Sequence, residues 1–129
     1  MSTDANACGL PTQDLVGKKC VPCEGGVPSL TLAESQALGK QTPAWTITTE
    51  GVLKIRREWT AKHFKAALEF VNAVAALAEA EQHHPDIHLT GYRQVTLELY
   101  THAIGGLSEN DFILAAKIDQ LPIRLKAVN

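Results

Sequence analysis

The chain has 129 residues, 45% of them hydrophobic and 20% charged, enough for one domain with a packed core. Its formal net charge of -2, with Lys54, Arg56 and Arg57 as the only basic cluster, excludes an electrostatic footprint for nucleic acid or for anionic membranes. No apolar run is long enough to span a bilayer, residues 1–30 lack the pattern of a signal peptide, and three cysteines argue against a secreted disulfide framework, so a cytoplasmic protein is expected.

Residues 1–30 are rich in Gly, Pro, Ser, Thr and Cys and show neither helical nor strand period, so they read as a tail leading into a domain over 31–129. The tail holds Cys8 and the Cys20-Val-Pro-Cys23 pair, half the ligand set of a structural zinc site and more simply a pair of loop thiols. Thr31 with Glu34 three residues on forms a capping box for a short helix that stops at Gly39. "AWTITTEGVLKIRREW" places strand formers on both sides of Glu50-Gly51 and predicts a hairpin. From Thr60 to Gln82 the apolar residues Phe64, Ala67, Leu68, Val71, Val74, Ala75 and Ala78 recur at helical spacing, predicting one long helix with a buried stripe. It must end by His84, because the ring of Pro85 pushes the residue before it out of helical dihedrals.

Beyond Pro85 the chain turns extended. Val95, Leu97 and Leu99 alternate with Thr96, Glu98 and Tyr100, Gly91 divides the stretch into two strands, and His102 continues the polar register. Ser108 and Asp111 cap a final helix carrying Phe112, Ala115, Ala116 and Leu121 as far as Pro122. Two hairpins separated by a long helix favour an α+β fold, a four-stranded antiparallel sheet with three helices on one face in the order α-β-β-α-β-β-α. The opposite face is then free for function.

Four of the five histidines lie between residues 81 and 102. His83 and His84 sit at a helix C-terminus, where free carbonyls favour the imidazolium, and His102 ends a strand that returns toward them. Imidazoles with ordinary pKa values near about 6.5 supply both an acid and a base at cellular pH, which suits elimination or proton transfer. No activated nucleophile stands beside them. The competing reading is a metal site, since His84, Asp86 and His88 alternate along an extended segment; no metal is expected. His63 reads as an exposed residue at the start of the long helix, and Trp45 and Trp59 as core.

Glu79, three residues, His83-His84-Pro85, then Tyr92, nine residues, His102, eight residues and Asp111 resembles the signature of the pterin-4a-carbinolamine dehydratases. The spacing from Pro85 to Tyr92 is one residue longer than in vertebrate members, and Ile87 stands where those carry tryptophan. The resemblance implies dehydration of a 4a-hydroxytetrahydropterin such as 4a-hydroxytetrahydrobiopterin to the quinonoid dihydropterin, recycling the cofactor of aromatic amino acid hydroxylases, with the pterin as substrate and no cofactor of the enzyme's own. Carried over, His83 and His102 are the acid and base pair and His84 a substrate-binding or auxiliary catalytic group. Asp111 orients His102 or a pterin nitrogen, or serves only as a cap; Glu79 favours imidazolium at His83, Pro85 holds the exit path, and Tyr92 gives the pocket a wall. The family's habits further imply a homodimer or homotetramer, a hydroxylase as supplier of substrate, and an alternative role in binding, as coactivator or Rubisco assembly protein, on the same fold.

Overall fold

The computed structural model describes residues 15–20 and 28–127. Its elements follow the expected order: α1 (Leu32–Gly39), β1 (Thr46–Thr48), β2 (Lys54–Thr60), α2 (Phe64–Glu81), β3 (Asp86–Thr90), β4 (Gln94–Leu99) and α3 (Glu109–Ile118). Short 3-10 turns add Leu15–Gly17 and His102–Ile104. Cys8 and Cys23, and with them any pairing of Cys20 with Cys23, lie outside the described residues. The first capping box forms as read: Thr31 Oγ1 accepts from the Glu34 N–H at 3.1 Å while Glu34 Oε1 accepts from the Thr31 N–H at 2.8 Å.

The sheet order is β1-β2-β4-β3, antiparallel throughout. Register puts Ile47, Ile55 and Leu99 in one row and Trp59, Val95 and Leu89 in another, so the alternating apolar residues share one face. That face is the core. Ile55, Val95, Leu97 and Leu99 are fully buried there, and Trp59 stacks at 4.8 Å on Phe70 of α2 and meets Trp45 edge-on at 5.8 Å. The opposite face carries Arg56, Glu58, His88 and Glu98, with an Arg56–Glu58 ion pair of 2.5 Å and His88 Nε2 at 3.5 Å from Glu98 Oε1. Asp119, just past α3, ties three parts of the core together by accepting from Trp45 Nε1 at 2.9 Å and Arg57 Nη1 at 2.6 Å.

The long helix departs from expectation in two ways. It begins at Phe64, because Thr60 still pairs with Gln94 in the sheet and His63 is the N-cap, its Nδ1 accepting from the Ala66 N–H at 3.1 Å. His63 is therefore a half-buried cap and not the free surface residue expected. The buried stripe is also rotated, running through Ala66, Ala67, Phe70, Val74, Ala78 and Glu81, while Phe64, Leu68 and Ala75 face outward. The cause is the C-terminal segment: Ala61 bridges Leu125, Lys62 N–H donates to the Arg124 carbonyl, and Pro122 to Arg124 lie beside Ala66 and Phe70.

α3 is buried on nearly all sides. Residues 15–20 supply part of its cover, so this part of the expected tail contributes Leu15 and Cys20 to the core. Leu15 N–H donates to Gln41 Oε1 at 3.0 Å, and Cys20 N–H donates to Glu81 Oε1 at 2.8 Å. Burial, then the charge of Glu81, pushes the Cys20 thiol up to about 12. For Glu81 itself burial opposes ionisation, but bonds from Lys117 and the Cys20 N–H outweigh it and hold the carboxyl below the usual range.

Candidate active site

α2 ends in a Schellman motif, with His83 N–H bonded to the Ala78 carbonyl at 3.1 Å and Gln82 N–H to the Glu79 carbonyl at 3.3 Å. The turn needs a left-handed residue, and Gln82 takes that role with φ of +56°. Adjacent histidines thereby part company. His83 turns inward, its Nε2 at 2.6 Å from Oδ1 of Asp111, while His84 stays exposed with its Nε2 2.6 Å from Oε2 of Glu79. Glu79 thus partners His84, not His83 as expected. Pro85, by restricting His84, sends the chain straight into β3.

Asp111 is completely buried. Its Oδ2 accepts from the Ser108 N–H and from the Thr101 hydroxyl, both at 2.9 Å, and its Oδ1 faces His83. The capping role read from the sequence is therefore carried by Oδ2, while Oδ1 is given over to His83. The imidazole it meets is that of His83, and not that of His102, one of the two groups it was expected to orient. Since a carboxylate only accepts, His83 carries its proton on Nε2 and Nδ1 is left for exchange.

His102 opens the 3-10 turn instead of extending β4. Thr101 N–H bonds to the Gly106 carbonyl at 2.7 Å, which closes a tight loop and curls the chain away from the strand line. The imidazole lies against the Tyr100 ring at 4.2 Å between centroids, and among the described residues no hydrogen-bond partner occupies its ring nitrogens. His83, His84, Pro85, Tyr100, His102 and Asn110 line one open cleft of about 430 Å³. The cleft lies where the end of α2, the start of α3 and the loop after β4 converge, not on the open sheet face expected to be the working surface.

Tyr92 is absent from this cleft. It sits in the β3–β4 turn at φ of +56°, exposed, with Arg93 over its ring at 5.4 Å. The aromatic wall is Tyr100, a residue sequence reasoning passed over as an outward strand position although it is two residues from His102. Asn110 and Thr101 were missed as well, since neither carries a signal apart from adjacency to Asp111 and His102. The alternating His84, Asp86 and His88 do not gather: His84 pairs with Glu79 and His88 with Glu98. Among the described residues no group of three His, Cys, Asp or Glu side chains is placed to hold a metal, and no described helix is long and apolar enough to cross a membrane.

Residues 28–121 match the family described as Pterin 4 alpha carbinolamine dehydratase. Among similar proteins, pterin-4-alpha-carbinolamine dehydratase 2, mitochondrial, of Arabidopsis thaliana is 44% identical over 95% of this chain and 68% of its own length. A putative pterin-4-alpha-carbinolamine dehydratase of Nitrosomonas eutropha is 49% identical over 85% of this chain and 95% of its own. The crystal structure of a transcriptional coactivator/pterin dehydratase from Brucella melitensis superposes with a TM-score of 0.65 at 28% identity, covering 70% of this chain and 95% of that one. With the signature histidines converging on one cleft and the match spanning the whole sheet and its helices, the chain belongs to the pterin 4α-carbinolamine dehydratase family, a family of hydro-lyases.

Proposed function

We propose that the cleft dehydrates a 4a-hydroxytetrahydropterin, with 4a-hydroxytetrahydrobiopterin as the type substrate, to the quinonoid dihydropterin and water. The observation that carries this reading is the convergence on one cleft of His83, held at 2.6 Å by a buried carboxylate, with His102, whose ring nitrogens have no hydrogen-bond partner among the described residues. Hydroxide is a poor leaving group, so the C4a oxygen must be protonated as it departs, while the N5 proton is lost and the N5 electron pair closes the new double bond to C4a. Asp111 Oδ1 engages His83 Nε2, which leaves His83 Nδ1 to receive the N5 proton. His102 then gives its proton to the leaving oxygen. His84, backed by Glu79 at the exposed rim, binds the polar pterin edge, and the Tyr100 ring packs along the flat bicycle. The reaction asks for no cofactor beyond these groups, and a pterin-dependent hydroxylase is the natural source of substrate.

The test is the rate of dehydration of 4a-hydroxytetrahydropterin generated in situ by a hydroxylase. Wild type should accelerate it over the spontaneous reaction, and His83→Ala and His102→Ala should each lose about 10² to 10⁴ of that acceleration while keeping the fold. Folded wild type without acceleration, or His102→Ala with unchanged turnover, overturns the assignment.

A further inference from the structure

Three consecutive residues ahead of the family match, Lys18, Lys19 and Cys20, touch both helix ends that deliver the His83–Asp111 pair. On the α2 side, Lys19 Nζ donates to the Ala80 carbonyl at 3.4 Å and Cys20 N–H to Glu81 Oε1 at 2.8 Å. On the α3 side, Lys18 pairs with Glu109 and the Cys20 thiol donates to the Asn110 carbonyl at 3.5 Å. The remaining oxygen of Glu81 accepts from Lys117 Nζ at 2.8 Å, so the buried carboxylate itself bridges α2 to α3. Glu81 is two residues before His83, and Glu109 is two before Asp111.

We infer that the Lys18–Cys20 segment and the Glu81–Lys117 ion pair are positioning elements of the active site, holding the end of α2 against the first and the last turn of α3 respectively and so setting the His83–Asp111 hydrogen bond. The inference rests on the dehydratase reading for its kinetic consequence only. None of these side chains lines the cleft apart from the neighbouring Asn110, so their effect on chemistry runs through His83. A hydrogen bond of 2.6 Å between a residue just past the end of α2 and one in the first turn of α3 tolerates little relative motion, and misplacement near 1 Å costs a proton-transfer site about a hundredfold. Glu81 buried without Lys117 would hydrate or swing outward, carrying the helix end with it.

The experiment compares Lys117→Met, Lys117→Arg and Lys18→Met in the full chain by two readouts. The first is the NMR signal of the His83 Nε2 proton, shifted and protected by Asp111; the second is kcat against KM for dehydration. Lys117→Met should displace or lose the His83 signal and lower kcat about tenfold or more with KM within about twofold, whereas Lys117→Arg keeps both near wild type. A Lys117→Met variant with the wild-type signal and kcat overturns the inference, as does a Lys117→Arg variant equally impaired, which would mean packing and not the bridge. If Lys117→Met fails to fold cooperatively, Lys18→Met decides by the same readouts. Should wild type prove inactive, only the dehydratase reading falls, because the His83 signal reports on positioning without turnover.

Discussion

Replacing Asp111 by asparagine changes one atom in the buried centre and reverses a proton position. The carboxylate accepts three hydrogen bonds, from His83 Nε2, the Ser108 N–H and the Thr101 hydroxyl. An amide has one oxygen. If that oxygen keeps the Ser108 and Thr101 donors, the NH₂ group faces His83 Nε2 at 2.6 Å, and the imidazole must become an acceptor there with its proton on Nδ1. On the proposed mechanism His83 then presents a donor where a proton acceptor is needed. The charge-assisted bond lost is worth about 1.5–3 kcal/mol, which corresponds to a fall in kcat of about 10- to 150-fold. If the amide turns the other way, its NH₂ meets the two donors, and the unpaired groups cost about 1–3 kcal/mol of stability instead. The assay pairs turnover with urea unfolding: Asp111→Asn should lose kcat, stability or both, with KM little changed. A variant within about twofold of wild type in kcat and within about 0.5 kcal/mol in stability would refute the reasoning, since one of the two orientations must be occupied.

Phe70→Ala empties the contact under Trp59 and should cost about 3–5 kcal/mol by urea denaturation; a loss below about 1 kcal/mol would place the core elsewhere. Gly106→Ala would bring a methyl within 2.8 Å of Ser29 Cβ, so it should destabilise by about 1–3 kcal/mol, and adding Ser29→Gly should restore most of that. Glu81 has a folded pKa below its unfolded value, so its contribution is complete above the ordinary carboxylate range near about 4.3 and is lost as pH falls through the depressed value. Wild type should therefore lose more stability than Glu81→Gln on going from about pH 6 to pH 3, and equal losses would count against the ion pair. Cys20 is the opposite case: with its thiol pushed up to about 12, its contribution is whole below the ordinary thiol range and declines as pH rises toward that value, so Cys20→Ala should flatten the alkaline limb of stability.

Much of this architecture was legible because local rules and tertiary packing agree. The Thr31 box, the turn near Gly51, the alternation from Val95 to Leu99 and the stop at Pro85 each depend on a few neighbouring residues, and each is found. What was misread depends on residues distant in the chain. Leu68 and Ala75 fit an apolar stripe as well as Phe70 does, and only the returning C-terminal segment selects which flank is covered. Glu81 carries no local signal of burial, which comes from Lys117 and the Cys20 N–H closing around it. At the site, the histidines announced themselves by clustering, whereas Tyr100 looks like any outward strand residue until the 3-10 turn folds His102 back onto it. Asp111 shows the same limit, because its capping role is local and its hold on His83 spans two elements.

The strand order carries a consequence for how the molecule comes into being. β2 and β4 are neighbours at the middle of the sheet although α2 and β3 separate them in the chain. The two hairpins β1–β2 and β3–β4 close over short distances and form early, but the central pairing must wait for a long loop to close. His83 leaves α2 before β3 begins, and Asp111 follows β4. Their meeting requires that the sheet be joined and α3 be folded back. The His83–Asp111 pair is thus expected among the last contacts made, and a chain that has collapsed without docking its halves holds much of its secondary structure and none of this pairing.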